Sequence, residues 1–174
     1  APLLVVLVTD EERDLTPAQR SAADGNGHGF SDVEEALSAS GILFSAVVNV
    51  TLKDSNGSTT LSKFSDNGAI DNGEGGYELT SGVYATTPAD GNTIADYVEL
   101  ADAVSGESWA ISKLKAGGNT TSSFTSAFVN RNSERIFSEI FWSFSSWTSG
   151  ATLSTSPQFG LVVKSNLSVT ANFS

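Results

Sequence analysis

Cysteine is absent from the 174-residue sequence, and histidine occurs once, at His28. The first absence excludes disulfides, zinc–thiolate sites and thiol catalysis, and it leaves the redox compartment unread. The second leaves Ser-His-Asp chemistry a single conceivable base. That base lies between Gly27 and Gly29, where nothing holds it within hydrogen-bond reach of a target. No run approaches the roughly 18 to 20 apolar residues that span a bilayer. The N-terminal apolar stretch is too short for a signal peptide and has no basic flank, so the sequence reads as a mature or processed product. Basic residues are scarce: 9 Lys and Arg stand against 20 Asp and Glu, a net charge of -11, and 18 of the acids fall in residues 1–112. Such a surface argues against nucleic acid as a partner. It serves solubility or collects hard cations such as Ca²⁺ and Mg²⁺.

What is present reads as globular, with 39% of residues apolar and 17% charged, and the length fits one domain or one domain with an appendage. The opening "LLVVLVT" (Leu3 to Thr9) is an unbroken, β-branched-rich strand that ends in the acidic cluster Asp10 to Asp14. A strand apolar on both faces requires cover on both. "FSDVEEALSASG" predicts a helix, with capping-box spacing at Ser31 and Glu34 and a closing Gly41. "ILFSAVVNV" (Ile42 to Val50) predicts a second buried strand. Residues 53–92 read as an irregular excursion, with "GYELTSGVYATT" its best hairpin candidate. "TIADYVELADAVSG" predicts a helix with Thr93 and Asp96 in a capping box, "SWAISKL" a third strand, and "SSFTSAFVNRNSERIFSEIF" a third helix. From Trp142 the pattern turns β. Strand, helix, strand, helix, strand, helix is the rhythm of a parallel α/β sheet with helices on both faces, whose functional groups gather at the carboxyl ends of its strands.

Five Asn-x-Ser/Thr sequons occur, at Asn49, Asn56, Asn119, Asn166 and Asn172. Asn166 and Asn172 share the polar face of the alternating strand "NLSVTANFS", where a glycan is tolerated, which makes secretion plausible. Asn56 and Asn119, in Gly/Ser/Thr-rich surroundings, are the favoured acceptors. Asn49, inside an apolar run, is the least favoured.

The strings "LLVVLVTDEERDL", "ILFSAVVNVTL", "TIADYVELADAVSGESWAISKLKAGG" and "SFTSAFV" resemble, in that order, the second half of a von Willebrand factor A domain. The resemblance covers roughly residues 2–138, with 53–92 as an insertion and 139–174 as an aromatic, β-rich appendage. It implies a Rossmann-like parallel sheet that binds a protein partner through a divalent cation, and it assigns Asp10, at the end of the Thr-Asp strand, to the metal site. A carboxylate at the mouth of such a sheet is also a hard oxygen ligand in its own right. The family's Asp-x-Ser-x-Ser loop and its separate threonine precede this strand. The only comparable string here, "DSNGS" at Asp54 to Ser58, has Asn56 in the first serine position and reads as a turn.

A second arrangement of oxygen donors lies in "DGNGHGFSDVEE". Asp24, Asn26, Asp32 and Glu35, with Gly29 in sixth place, follow calcium-loop spacing, although His28 and Ser31 depart from it. A glycine-rich turn leading into the helix cap accounts for most of the same residues. Phe141, Trp142, Phe144 and Trp147 are candidates for a core, an interface or a sugar-stacking surface.

The expectation is a non-enzymatic, extracellular adhesion or matrix-type module that binds other proteins, with a Mg²⁺ or Ca²⁺ cofactor. The alternative is a structural subunit of an extracellular assembly whose metal site is vestigial. In either case the opening strand is expected to pair with strands of another polypeptide, an upstream precursor fragment or an identical subunit.

Overall fold

A computed structural model describes residues 3–11, 29–86, 93–142, 144–148, 152–154 and 170–173. The chain is mixed α/β, built on a four-stranded sheet. Strand β1 (Leu4–Thr9) pairs in parallel with β2 (Leu43–Val48) in unbroken register from Leu4 opposite Leu43 to Thr9 opposite Val48. Between them runs helix α1 (Phe30–Ser40). Its cap lies two residues earlier than the Ser31–Glu34 spacing predicts. Gly29 is the N-cap, and the Asp32 carboxylate accepts the Gly29 N–H at 2.5 Å. Gly41 closes the helix in the left-handed region at φ 63°.

Residues 53–92 are less irregular than their composition predicts. Within residues 51–86 lie β3 (Thr51–Lys53), β4 (Ser62–Lys63), β5 (Asn67–Asp71), β6 (Tyr77–Ser81) and β7 (Tyr84–Thr86). β3 pairs with β7 and β5 with β6, both antiparallel. Leu52, Leu61, Ala69 and Val83 enter the core from this region. At Gly68 a Cβ would lie 2.2 Å from the Ser62 carbonyl oxygen, so only glycine permits β5 to close on β4.

The second crossover opens as a π-type turn (Ile94–Val98) and continues as α2 (Glu99–Ala103). Thr93 is already helical and makes no capping bond through its side chain, so the predicted Thr93–Asp96 box is not formed. Instead Asp96 is buried. β8 (Glu107–Ala110) follows and pairs in parallel with β2. It ends at Ala110, earlier than "SWAISKL" predicts, because Ile111–Leu114 form the short helix α3. β4 adds antiparallel on the outer side of β8, so the sheet order is β1-β2-β8-β4 and the sheet is mixed, where a purely parallel one was expected. The long helix α4 (Gly118–Trp142) comes next. Last, β9 (Phe144–Thr148), β10 (Thr152–Ser154) and β11 (Thr170–Phe173) make a separate antiparallel sheet with β9 in the centre.

Side-chain alternation along the strands divides the core in two. One cluster holds Phe44, Ala46 and Val48 of β2 with Val98, Leu100 and Ala101, and Val5 and Leu7 of β1 pack on it beside Phe30 and Leu37 of α1. The other holds Val47, Leu61, Ala69 and Trp109 under Phe124 and Ala127 of α4. Trp109 is completely buried and meets Phe124 and Phe128 edge-on, with centroids 5.4 and 5.1 Å away.

Candidate functional site

The carboxyl ends of β1, β2 and β8 lie along one side of the sheet. Asp10 stands there, one residue past the last β1–β2 pair, and is exposed. Its carboxylate is ion-paired with the ammonium of Lys115, which directly follows α3. This hydrogen bond, with help from the Asp10 backbone and the lysine charge, holds the Asp10 carboxyl below its ordinary value. Thr9 Oγ1 accepts the Glu11 N–H at 3.1 Å, fixing the turn that follows the strand. The residue assigned to a cation by resemblance is thus present at the sheet mouth, with the Lys115 ammonium as its partner. Among the described residues no three His, Cys, Asp or Glu side chains gather closely enough to hold a metal ion.

Of the calcium-loop donors, Asp24 and Asn26 lie outside the described residues, as do His28 and the sequon at Asn166. Asp32 and Glu35 are on α1, and Asp32 is engaged in capping its N-terminus. The "DSNGS" string is a turn: the buried Asp54 accepts the Asn56 and Ser58 N–H groups, both at 2.9 Å, and the Thr80 hydroxyl at 3.1 Å. Asn56 is exposed at its tip. Asn119 is exposed in the first turn of α4 and donates to the Gly73 carbonyl at 2.7 Å. Asn172 falls within β11. β2 stops at Val48, and Asn49 is exposed in the bend beyond it rather than inside the strand. The aromatic run is split between the end of α4, which carries Phe141 and Trp142, and β9, which carries Phe144 and Trp147.

Two further features stand out, of which the sequence reading anticipates only the second, as an opening strand in need of a partner. The first is a cleft of about 780 Å³ at the amino end of β8, lined among others by Lys63, Phe64, Asp102, Glu107, Arg131 and Arg135. Glu107 is 1% exposed and accepts from Arg131 at 3.0 Å, while Arg135 reaches its second oxygen at 3.9 Å. Burial pushes the Glu107 carboxyl upward, opposed by the charges of Arg135 and Arg131. Arg131 also lies over the Phe64 ring, 4.1 Å from its centroid, and Lys63 pairs with Asp102 at 2.7 Å. The contacts of Arg131 and Arg135 with Glu107 fasten α4 to β8. The only signal in the sequence was the i, i+4 spacing of Arg131 and Arg135; nothing local points to Glu107.

The second feature is the outer edge of β1. The Leu43 N–H donates to the Leu3 carbonyl at 2.9 Å, so odd-numbered residues of β1 turn their peptide groups toward β2. The even-numbered residues Leu4, Val6 and Val8 therefore turn theirs outward, and no described strand pairs there. Apolar side chains accompany the open edge: Leu3 is 59%, Val6 37% and Val8 57% exposed.

Comparison of the chain with protein-family models, with curated proteins and with solved structures finds no match.

Proposed function

We propose that this chain is a non-enzymatic, protein-binding module of the extracellular adhesion or matrix type, similar to the C-terminal half of a von Willebrand A domain, which engages a second polypeptide along β1. The observation that carries this reading is the open edge of β1. Edge strands are ordinarily blunted by charge, proline, a bulge or shortness. β1 has none of these between Leu4 and Thr9, and its register against β2 is uninterrupted. Covering the exposed parts of Leu3, Val6 and Val8 is worth on the order of 3 kcal/mol. Each new edge hydrogen bond adds about 0.5–1.5 kcal/mol. The second polypeptide is an upstream fragment of the same precursor or an identical subunit.

A cation-assisted version of the reading rests on Asp10 at the sheet mouth. The Asp10–Lys115 pair favours the other version, a structural subunit with a vestigial metal site, because a divalent ion would have to displace an ammonium already in contact. Sedimentation of natively isolated protein with Mg²⁺ and with chelator, followed by denaturing electrophoresis, separates the two. A companion chain lost in chelator supports cation-dependent binding, and one retained supports the subunit. A monomer whose Val6 and Val8 amides resist hydrogen exchange would overturn both, since β1 would then be covered from within.

A further inference from the structure

We propose that the partner presents a strand–helix unit, its strand hydrogen-bonded to the open edge of β1 and its helix laid over the uncovered face of β1 beside α4. This rests on the reading of β1 as a docking edge and specifies what docks there. Around α4, successive contacts trace the strands beneath it, from the β5–β6 hairpin to the central sheet. Asn130 reaches Tyr77 of β6, Phe124 and Phe128 rest on Trp109 of β8, and Asn132 and Arg135 bond Ser45 of β2. Carrying the helical rotation of about 100° per residue one step further, past β2 toward β1, brings the flank holding Val129 and Ile136. Val129 is exposed, and so are Val6 and Val8, which stand on the same side of β1 as Ser45 and Val47 do on β2. β1 and α4 therefore form the floor and one wall of an apolar trough. On the opposite face of β1, Val5 and Leu7 are already packed against the α1 side of the core.

A strand alone would satisfy the outward peptide groups but leave the trough open and add a second uncovered face to it. A helix alone would fill the trough but leave those peptide groups unpaired. A strand–helix unit does both, extending the layer that α4 begins. A second copy of this chain fits poorly, because each copy carries a net charge of -11, so the partner's outer surface is neutral or basic.

The test uses three synthetic probes: a Lys-flanked Val/Ile strand peptide, an amphipathic Leu/Lys helix peptide, and the two joined by a short loop. Binding to the full chain is read by calorimetry and by hydrogen exchange at Val6 and Val8. The joined peptide is expected to bind at least tenfold more tightly than either part. V6P removes an outward N–H without touching the β1–β2 ladder, and it should abolish binding of both strand-containing probes. V129E should reduce the joined peptide to the affinity of the strand alone while leaving strand binding unchanged. Circular dichroism confirms that both variants are folded. Equal affinities for joined and strand peptides, or an unchanged V129E, overturn the helix while the docking edge stands. Failure of every strand probe to protect Val6 and Val8 overturns the docking edge itself. A dimer of this chain with those amides protected overturns the choice of partner.

Discussion

At one edge of the central sheet a two-residue strand, β4, closes over β8, with Leu61 and Ala69 buried behind it and the Leu61 carbonyl accepting the Ala110 N–H at 3.0 Å. At the other, β1 is longer, far more apolar, and half open. Strand length and hydrophobicity alone would have reversed the assignment, placing β1 in the centre and a Ser-Lys pair in a loop. What finishes the β4 edge is the surrounding hairpin, which supplies close-packed small residues and satisfied peptide groups. An apolar strand lacking such a neighbour is the part of a sheet that still has something to bind.

The largest expected effect lies on the closed side. Trp109→Ala should cost about 3–5 kcal/mol in chemical denaturation, because the indole is fully enclosed between α4 and the sheet. Val8→Ala, on the open side, should cost under about 1 kcal/mol in the isolated chain, since its side chain is mostly solvated. Comparable losses at the two positions would erase the contrast and mean that β1 is covered in solution.

Next in size is Glu107→Ala, expected to cost about 2 kcal/mol by leaving Arg131 and Arg135 without their buried counter-charge, a loss moderated by the partial exposure of Arg131. The pH dependence sharpens this. Glu107 is held above the ordinary glutamate value in the fold, so between the two values the native state keeps a proton that the unfolded chain has released. Stability from this group therefore falls as pH rises through that window, and Glu107→Gln should flatten the decline in denaturation curves taken across it.

Asp71 runs the opposite way. Its carboxylate accepts the Thr120 and Ser123 hydroxyls, both at 2.7 Å, and the Gly73 N–H at 2.8 Å. These bonds lower its proton affinity in the fold, with the Ser123 hydroxyl acting most strongly. Its contribution is therefore present above the ordinary aspartate value and is lost as pH falls through the lower folded one. Asp71→Asn should cost about 1 kcal/mol near neutrality and reduce the acid-side loss. The smallest effect belongs to the sheet mouth. Lys115→Ala should let the Asp10 carboxyl return toward its ordinary value in an NMR titration. If Asp10 serves a cation, Mg²⁺ should bind Lys115→Ala more tightly than wild type and Asp10→Ala more weakly. Identical titrations in all three would dismiss Asp10 as a ligand.

Much of the parallel part of the fold was legible because long apolar runs and 3.6-residue stripes specify β1, β2, α1 and α4 with little competition. The excursion was not. Its buried positions are single residues such as Leu61 and Ala69 among serines and threonines, and Thr60 and Ser62 are buried by virtue of small size and hydrogen bonding, which no hydrophobic pattern records. Helix starts slipped because several Ser, Thr and Asp residues compete for one cap, and the choice of Gly29 with Asp32 is settled by the chain's path. Asp10 was legible as the carboxylate ending β1, but its partner Lys115 is 105 residues away and comes from a different crossover. The Glu107 network was invisible for the same reason: sequence displays charges but not which of them meet.

The clasp at Asp71 also bears on the order in which the chain acquires its structure. The hydroxyls it holds lie 49 and 52 residues away, in the opening turns of α4, where backbone N–H groups have no partners within the helix. The Thr120 and Ser123 hydroxyls meet Asp71 once the β5–β6 hairpin has turned and come alongside, a long loop to close. The hairpin is thus expected to form early and the start of α4 to settle late. Stopped-flow refolding should show Asp71→Asn accelerating unfolding while leaving the folding limb almost unmoved.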